Sequence, residues 1–171
     1  VEAQDDGMGQ MTATGIVTVR LLDVNEAPVL LPTSRSVEEN SAAGTAVGAR
    51  IVATDPDFGQ TLTYSITGGD GASVFSIEDG TGQLRVAQAV LDFETKSSYS
   101  VVVRATDNGQ PTPLWTEAAV TVVILDVNEP PEMRSGTLSV PENSPVGTAV
   151  GRLNATDPDF GQSLSFRILG G

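Results

Sequence analysis

The chain lacks two residue types on which much protein chemistry depends, cysteine and histidine. Without cysteine it can form no disulfide, no thiolate nucleophile and no thiolate metal site. Without histidine it has no Ser-His-Asp arrangement and no imidazole acid–base catalyst, and it cannot form most kinds of zinc or copper site. These absences exclude several large classes of enzyme and the metal centres that depend on soft ligands.

Basic residues and long apolar runs are also scarce. The 171 residues include 9 Lys and Arg against 22 Asp and Glu, which gives a net charge of −13. This charge opposes binding to nucleic acid or to an anionic membrane, and it favours cations as partners. No apolar run approaches the roughly 18 residues of a membrane span, and the first residues lack the order of a signal peptide. Membrane contact is therefore expected only through segments outside this stretch.

What the chain does contain is typical of a sheet protein. Apolar residues make up 39% of it, many as short runs of Val and Ile, while 18 Gly and 10 Pro supply turns. About seven short strands with turns every 8 to 12 residues predict an antiparallel β-sandwich with almost no helix over residues 29–126. The alternation of apolar and polar residues places strands at 61–66, 99–106 and 118–124, with shorter ones at 74–77 and 84–86.

The sequence is also a repeat. Asp126-Val127-Asn128-Glu129-Pro130-Pro131 has a close copy, Asp23-Val24-Asn25-Glu26-Ala27-Pro28, about 100 residues earlier, the size of a β-sandwich module. Each copy follows an apolar run, Ile16 to Leu22 in the earlier case, and ends in proline, which predicts a strand running into a linker. We therefore expect the C-terminal part of one unit at 1–23, a complete unit at 24–126 and the N-terminal part of the next at 127–171, within a longer array.

The linker copies carry oxygen ligands. Asp126 and Asn128 are two residues apart in extended chain, so their side chains project to the same side, and Glu129 faces another way. Hard oxygen donors of this kind suit Ca²⁺, which takes six to eight oxygens from carboxylates, amides and carbonyls. An Asx-type turn between domains explains the same residues without a metal. From the linker alone, both interpretations remain open.

Further acidic residues recur at fixed places in each copy. A charged run is usually a solvated face, but carboxylates that repeat at one position are harder to explain in that way. Gathering them without a counterion would cost folding energy through repulsion. An EF-hand is disfavoured, because the twelfth position counted from Asp55 is Ile66 where that loop needs a bidentate Glu.

Five motifs, in this order and spacing, resemble those of the cadherin repeat, and the resemblance covers essentially the whole chain. They are Pro141-Glu142-Asn143 with its counterpart Glu38-Glu39-Asn40, Asp55-Pro56-Asp57, Leu91-Asp92-Phe93-Glu94, Asp107-Asn108-Gly109-Gln110-Pro111 and the linker motif. The resemblance implies tandem Greek-key, immunoglobulin-like β-sandwich repeats at an extracellular or cell-surface location. It also implies calcium ions bound between successive repeats.

The ligands implied by the resemblance come from the base of one repeat, the linker and the top of the next. For the later junction they are Glu39, Asp92, Glu94, Asp126, Asn128, Glu129, Asp157 and Asp159. For the earlier junction they are Asp23, Asn25, Glu26, Asp55, Asp57 and Asp107. The chain departs from the commonest family pattern where Glu26 and Glu129 replace Asp, where Phe93 replaces Arg, and in a short loop after Asp57. These departures bear on the number and affinity of the ions more than on their presence.

The function expected from this resemblance is that of a calcium-rigidified extracellular segment for cell adhesion or tethering. The alternative is a structural repeat of an extracellular filament or surface fibre without a recognition role. Expected partners are neighbouring repeats of the same chain, and another cadherin-like chain or a filament subunit. An enzyme using a carboxylate pair, as glycosidases do, is disfavoured because the carboxylates recur in every copy. Asn154-Ala155-Thr156 is a glycosylation sequon whose occupancy stays open.

Overall fold

The computed structural model describes residues 1–170, which form ten β-strands and no helix. The described residues accordingly contain no helix that could span a lipid bilayer. The all-β expectation is confirmed. The strands are β1 (Glu2–Gln4), β2 (Thr12–Thr14), β3 (Thr33–Glu38), β4 (Thr63–Gly68), β5 (Phe75–Ile77), β6 (Leu84–Val86), β7 (Ser98–Thr106), β8 (Trp115–Leu125), β9 (Glu132–Met133) and β10 (Ala155–Thr156).

The main sheet has four strands in the order β3-β8-β7-β4. β7 pairs antiparallel with both β8 and β4, but β3 pairs parallel with β8, from Thr33 opposite Val120 to Glu38 opposite Leu125. The expectation of a purely antiparallel sandwich is therefore wrong at this edge. Alternation specifies which face a side chain takes, but a parallel neighbour arises from a long crossover, which alternation does not encode. The parallel pairing brings the ends of β3 and β8 to the same end of the module.

The second layer is shorter. β5 and β6 form an antiparallel pair, and isolated bridges join Ala46 to Arg85 and Val29 to Thr54. The predicted strands are present with their ends shifted by a few residues, for example 61–66 to Thr63–Gly68. Within residues 29–126 there are six strands and these two bridges instead of about seven strands, because the segments around the bridges pair at single points only.

The core consists of the inward residues of β7 and β8 packed against the second layer. Val101 and Val103 on β7 and Val120 and Val122 on β8 are fully buried, and Leu84 on β6 closes the core from the other side. Burying an aliphatic side chain of this size contributes about 1.5–3 kcal/mol. The complete unit is therefore held together by apolar packing that needs no metal.

The apolar run at 16–22 is an exception to the sequence prediction. It forms no strand, and Ile16 is 97% exposed. In the complete unit the equivalent strand, β8, lies between β3 and β7. In residues 16–22 the strand predicted from the sequence is absent.

Candidate metal centre

The carboxylate of Glu39 lies where β3 and β8 end. It is only 2% exposed. Its Oε1 accepts a hydrogen bond from the backbone N–H of Val127 and its Oε2 one from the N–H of Phe93, each at 2.8 Å. This single side chain therefore joins the end of the module to the linker and to the loop that carries Glu94. The parallel register of β3 and β8 makes this contact possible.

Two groups of three carboxylates form at this junction. In the first, oxygens of Glu39, Glu94 and Glu129 lie within 4.8 Å of one another. In the second, oxygens of Glu94, Asp126 and Asp159 lie within the same distance. Glu94 belongs to both groups, so the base of one unit, the linker and the following unit meet around it. Oxygens this close together could share a cation.

The pKa of the Glu94 carboxyl is raised by loss of hydration and by its position among the other carboxylates. Loss of hydration raises its pKa above the usual value of 4.5, an effect partly opposed by a hydrogen bond from its own backbone. The negative charges of Glu39, Glu129 and Asp126 raise the pKa further. The structure thus disfavours the ionised form of Glu94 when no cation balances it.

Several carboxylate oxygens at the junctions are buried without a hydrogen bond. Asp159 is 5% exposed, and its Oδ1 finds no donor among residues 1–170. The same holds for Oε2 of Glu129 and, at the earlier junction, for Oδ2 of Asp55. A buried oxygen without a partner is costly, and carboxylate oxygens are the ligands that Ca²⁺ prefers. The donor set at both junctions therefore fits calcium.

Three predicted ligands of the later junction lie outside the two carboxylate groups. The Asp92 carboxylate accepts hydrogen bonds from the backbone N–H and the hydroxyl of Thr95, three residues later, at 2.8 and 2.9 Å. Oδ1 of Asp157 accepts a bond from the N–H of Asp159 at 3.1 Å. Oδ1 of Asn128 accepts a hydrogen bond from Nε2 of Gln162 at 2.8 Å. The structure therefore brings five of the eight predicted residues together.

The earlier junction repeats one backbone contact of the later junction. The N–H of Glu26 donates to Oδ2 of Asp57 at 2.9 Å, and the equivalent contact at the later junction has the same length. A hydrogen bond shared with the Asp57 carboxyl is the largest cause of a raised Glu26 pKa, followed by the charge of Asp57 and by burial. The charges of Asp23 and Asp55 add to it. Four predicted carboxylates therefore lie near one another here as well.

Asp107 and Asn25 pack against each other at this junction. Asp107 is 4% exposed; its Oδ1 accepts bonds from the N–H groups of Gly109 and Leu114, and its Oδ2 one from the Asn25 amide. Burial alone would raise the Asp107 pKa, but these hydrogen bonds outweigh it and lower the pKa below 3.8. A Cβ on Gly109 would overlap the Asn25 amide, so only glycine leaves room for the linker side chain.

The model of the cadherin domain matches residues 33–125, more than half of the chain. The chain belongs to the cadherin family. Human Cadherin-12 is 38% identical over 181 residues, covering 95% of this chain and 23% of that protein, and mouse Cadherin-24 is 41% identical over 177 residues, covering 93% and 22%. The chain thus spans less than a quarter of these relatives.

Solved cadherin structures share the fold. Mouse Cadherin-23 EC22-24 superposes with a TM-score of 0.69 at 32% identity, covering 94% of this chain and 53% of that one. The protocadherin gammaB7 EC3-6 cis-dimer structure gives 0.68 at 28%, covering 94% and 42%. The immunoglobulin-like sandwich and the extracellular or cell-surface location expected from the sequence are confirmed. Cadherin domains in general bind calcium and serve as adhesion modules rather than as enzymes.

Sequence reasoning missed one polar residue at each junction of this cadherin chain. Nε2 of Gln60 donates to Oδ1 of Asn25 at 2.6 Å and to Oδ2 of Asp57 at 2.8 Å. Gln162 makes the equivalent two bonds at the later junction, both at 2.8 Å. The signal was present, since both glutamines follow Asp-Pro-Asp-Phe-Gly. Charge does not single out these residues, because glutamine is neutral.

Proposed function

We propose that this chain is a calcium-rigidified extracellular segment for cell adhesion or tethering, with cations held between successive cadherin domains. The observation that carries the proposal is the double membership of Glu94 in the two carboxylate groups. One group contains Glu39 from the base of the complete unit, and the other contains Asp159 from the following unit. A cation bound here would bridge the two units.

The residues that would hold calcium at the later junction are the five that lie together. Each oxygen of Glu39 accepts one backbone hydrogen bond and keeps a second lone pair, so it can also face a cation. Bidentate carboxylates and backbone carbonyls would complete the six to eight oxygens that calcium takes. The further ligands that stay predictions are Asp92, Asn128 and Asp157, with Asp23, Asn25, Glu26, Asp55, Asp57 and Asp107 at the earlier junction.

Stiffening follows from electrostatics. Two like charges 4 Å apart repel by about 1 kcal/mol in water and by about 4 kcal/mol at the effective dielectric constant of a protein surface. Without calcium, the carboxylates of neighbouring units push each other apart and the linker can bend. With calcium, each of them is attracted to the same ion. Extracellular modules of this kind bind calcium at about 10⁻⁴ to 10⁻³ M, so the junction would be filled outside the cell.

The test is solution scattering of an array in which a complete unit follows residue 126. We expect an elongated particle in millimolar calcium and a shorter, more flexible one after addition of EGTA. Circular dichroism should show that the sheet signal is largely kept, because the core is apolar and needs no metal. A scattering profile that does not change after chelation would contradict the proposal.

A matched control is the same array with Glu94→Gln, Asp126→Asn and Asp159→Asn. These changes keep the shape of the side chains and remove the second carboxylate group. We expect its profile to change much less on addition of calcium than that of the parent. If the control responded to calcium as the parent does, the rigidifying ions would have to bind elsewhere.

The partners that we propose are neighbouring repeats and a second cadherin-like chain. One solved relative, protocadherin gammaB7, is a cis-dimer, which motivates the second partner. An adhesive spacer and a filament subunit differ in self-association. Sedimentation of the array in calcium distinguishes them, since a spacer is expected to form monomers or dimers and a filament subunit is expected to form an open-ended series.

A further inference from the structure

The two glutamines at the junctions occupy the same position relative to their neighbours. In each case one amide NH₂ group donates both of its hydrogens, one to the linker asparagine and one to an aspartate of the loop above it. For Gln162 the acceptors are Oδ1 of Asn128 and Oδ2 of Asp159. Because the same two hydrogen bonds form at both junctions, we infer that they are a regular feature of the junction and not a chance surface contact.

A tight turn places each amide. Gly59 has a φ of 84° and Gly161 a φ of 83°, a left-handed conformation that favours glycine. This turn reverses the chain directly after the exposed phenylalanine of Asp-Pro-Asp-Phe-Gly-Gln. The glutamine side chain therefore lies over the aspartate three residues before it, where its amide reaches the linker.

The Gln162 amide binds one oxygen of Asp159 and leaves the other without a partner. Oδ2 accepts two hydrogen bonds, from the N–H of Glu129 at 2.9 Å and from Gln162 at 2.8 Å. Oδ1 is buried and has no donor in the described part of the chain. Asp159 is also the member of the second carboxylate group that comes from the following unit. With Oδ2 saturated by protein donors, Oδ1 is the oxygen left for a cation.

At the earlier junction the equivalent amide, that of Gln60, binds the linker asparagine. Oδ1 of Asn25 and Oδ2 of Asp57 are both acceptors and would repel each other without the Gln60 NH₂ between them. The Asn25 amide nitrogen donates to Asp107 and to the carbonyl of Thr112, which turns its Oδ1 towards Gln60. Linker and loop are therefore aligned by hydrogen bonds that need no ion.

We propose that Gln162 and Gln60 are positioning residues of the junction cation sites. They fix the linker asparagine and the loop aspartate in advance, so that a calcium ion meets oxygens that already point inward. Groups that hydrogen-bond to metal ligands typically change metal affinity by about 10- to 100-fold when removed. This inference rests on the proposed function, since it assumes that the junctions bind calcium.

The test is calcium titration by calorimetry of the full chain and of Gln162→Met and Gln60→Met, each of which keeps the side-chain length and removes the NH₂ group. For Gln162→Met we expect calcium affinity at the later junction to fall about tenfold or more, with the number of bound ions unchanged. The control is Gln88→Met, an exposed glutamine on the loop after β6, which should leave calcium binding unchanged. Gln60→Met should act in the same way at the earlier junction.

Two further measurements distinguish a positioning role of Gln162 from a purely structural one. The melting temperature in EGTA should be the same for Gln162→Met and for the parent chain, because Gln162 is exposed and contributes no core contact. The side-chain ¹³C signal of Asp159 should move at about tenfold higher calcium in the variant than in the parent. A fall in melting temperature that matches the loss of affinity would overturn the positioning role.

The remaining outcomes distinguish this inference from the function on which it rests. Equal calcium affinity in Gln162→Met and the parent would overturn the inference and leave the proposed function standing. Loss of one bound ion in a Gln→Met variant would show that the glutamine is itself a ligand and would overturn the positioning role. The candidate ligand atom would be the side-chain oxygen, since Oε1 of Gln60 is buried and has no hydrogen-bond partner among the described residues. Absence of calcium binding in the parent chain would overturn both.

Discussion

Replacement of Glu39 by alanine is expected to cause a large loss of stability even in the absence of calcium. Glu39 is 2% exposed and accepts hydrogen bonds from the N–H groups of Phe93 and Val127. A buried donor left without its acceptor costs about 1–3 kcal/mol, so the loss of both acceptors should lower the free energy of unfolding by about 2–6 kcal/mol. Urea denaturation in EGTA measures this loss without any contribution from the metal.

Glu38→Ala is the matched control for this prediction. Glu38 is the adjacent residue, has the same charge and is exposed at the end of β3. Surface substitutions of this kind usually change stability by less than about 0.5 kcal/mol. Calcium affinity should fall in Glu39→Ala and stay near that of the parent in Glu38→Ala. Equal losses of stability in the two variants would show that the hydrogen bonds of Glu39 do not hold the end of the module.

The two roles of Glu39 illustrate what could and could not be predicted from the sequence. Its position in a repeated acidic motif identified it as a candidate ligand. Its backbone contacts depend on β3 and β8 ending side by side, which follows from their parallel pairing. Alternation at 99–106 and 118–124 predicted β7 and β8 because it reports burial on one face. It holds no information on strand direction, so the parallel edge was predicted wrongly.

The candidate site shows the same division. The resemblance to the cadherin repeat supplied the candidate ligands, and five of the eight predicted at the later junction lie together. It could not separate Asp92, whose carboxylate caps the turn at Thr95, from Glu94, two residues later, which lies in both carboxylate groups. That distinction depends on which way each side chain leaves an irregular loop. Gln162 was missed because its contribution is a pair of donated hydrogen bonds and not a charge.

The second prediction with a large effect concerns Glu94→Gln, which should change stability and calcium affinity in opposite directions. In EGTA the variant should be more stable than the parent at neutral pH. The reason is that loss of hydration and the neighbouring carboxylates raise the pKa of Glu94, so its ionised form is disfavoured in the folded protein. In calcium the variant should bind at least about tenfold more weakly, because calcium affinity follows the charge of its ligands.

The dependence on pH has a definite sign. A carboxyl whose pKa is raised on folding binds more protons in the folded than in the unfolded chain between pH 4.5 and its raised pKa. In EGTA, the contribution of Glu94 to stability therefore falls as pH rises through that interval, and its cost is complete only above the raised pKa. Glu94→Gln removes this dependence. The parent should lose stability relative to the variant as pH rises from 4.5 through the raised pKa of Glu94.

Glu117→Gln is the control with the opposite sign. Hydrogen bonds with Thr67 and then with Arg104 lower the pKa of Glu117. Its ionised form is therefore favoured by folding, and this stabilisation is present above pH 4.5 and lost as pH falls through the lowered pKa. Glu117→Gln should reduce stability at neutral pH and leave calcium affinity unchanged, since Glu117 belongs to neither carboxylate group.

Thermal unfolding of the three chains in EGTA and in calcium tests these opposite signs together. If Glu94→Gln were destabilising in EGTA, the carboxylates at the junction would not repel one another in the absence of metal. If it bound calcium as tightly as the parent, Glu94 would not contribute to calcium binding. A gain of stability without metal, coupled to a loss of calcium affinity, would show that the fold tolerates a costly cluster of charge at this junction. In the function proposed above, that cost would make the linker respond to calcium, because an ion that offsets the repulsion would hold the two domains in line.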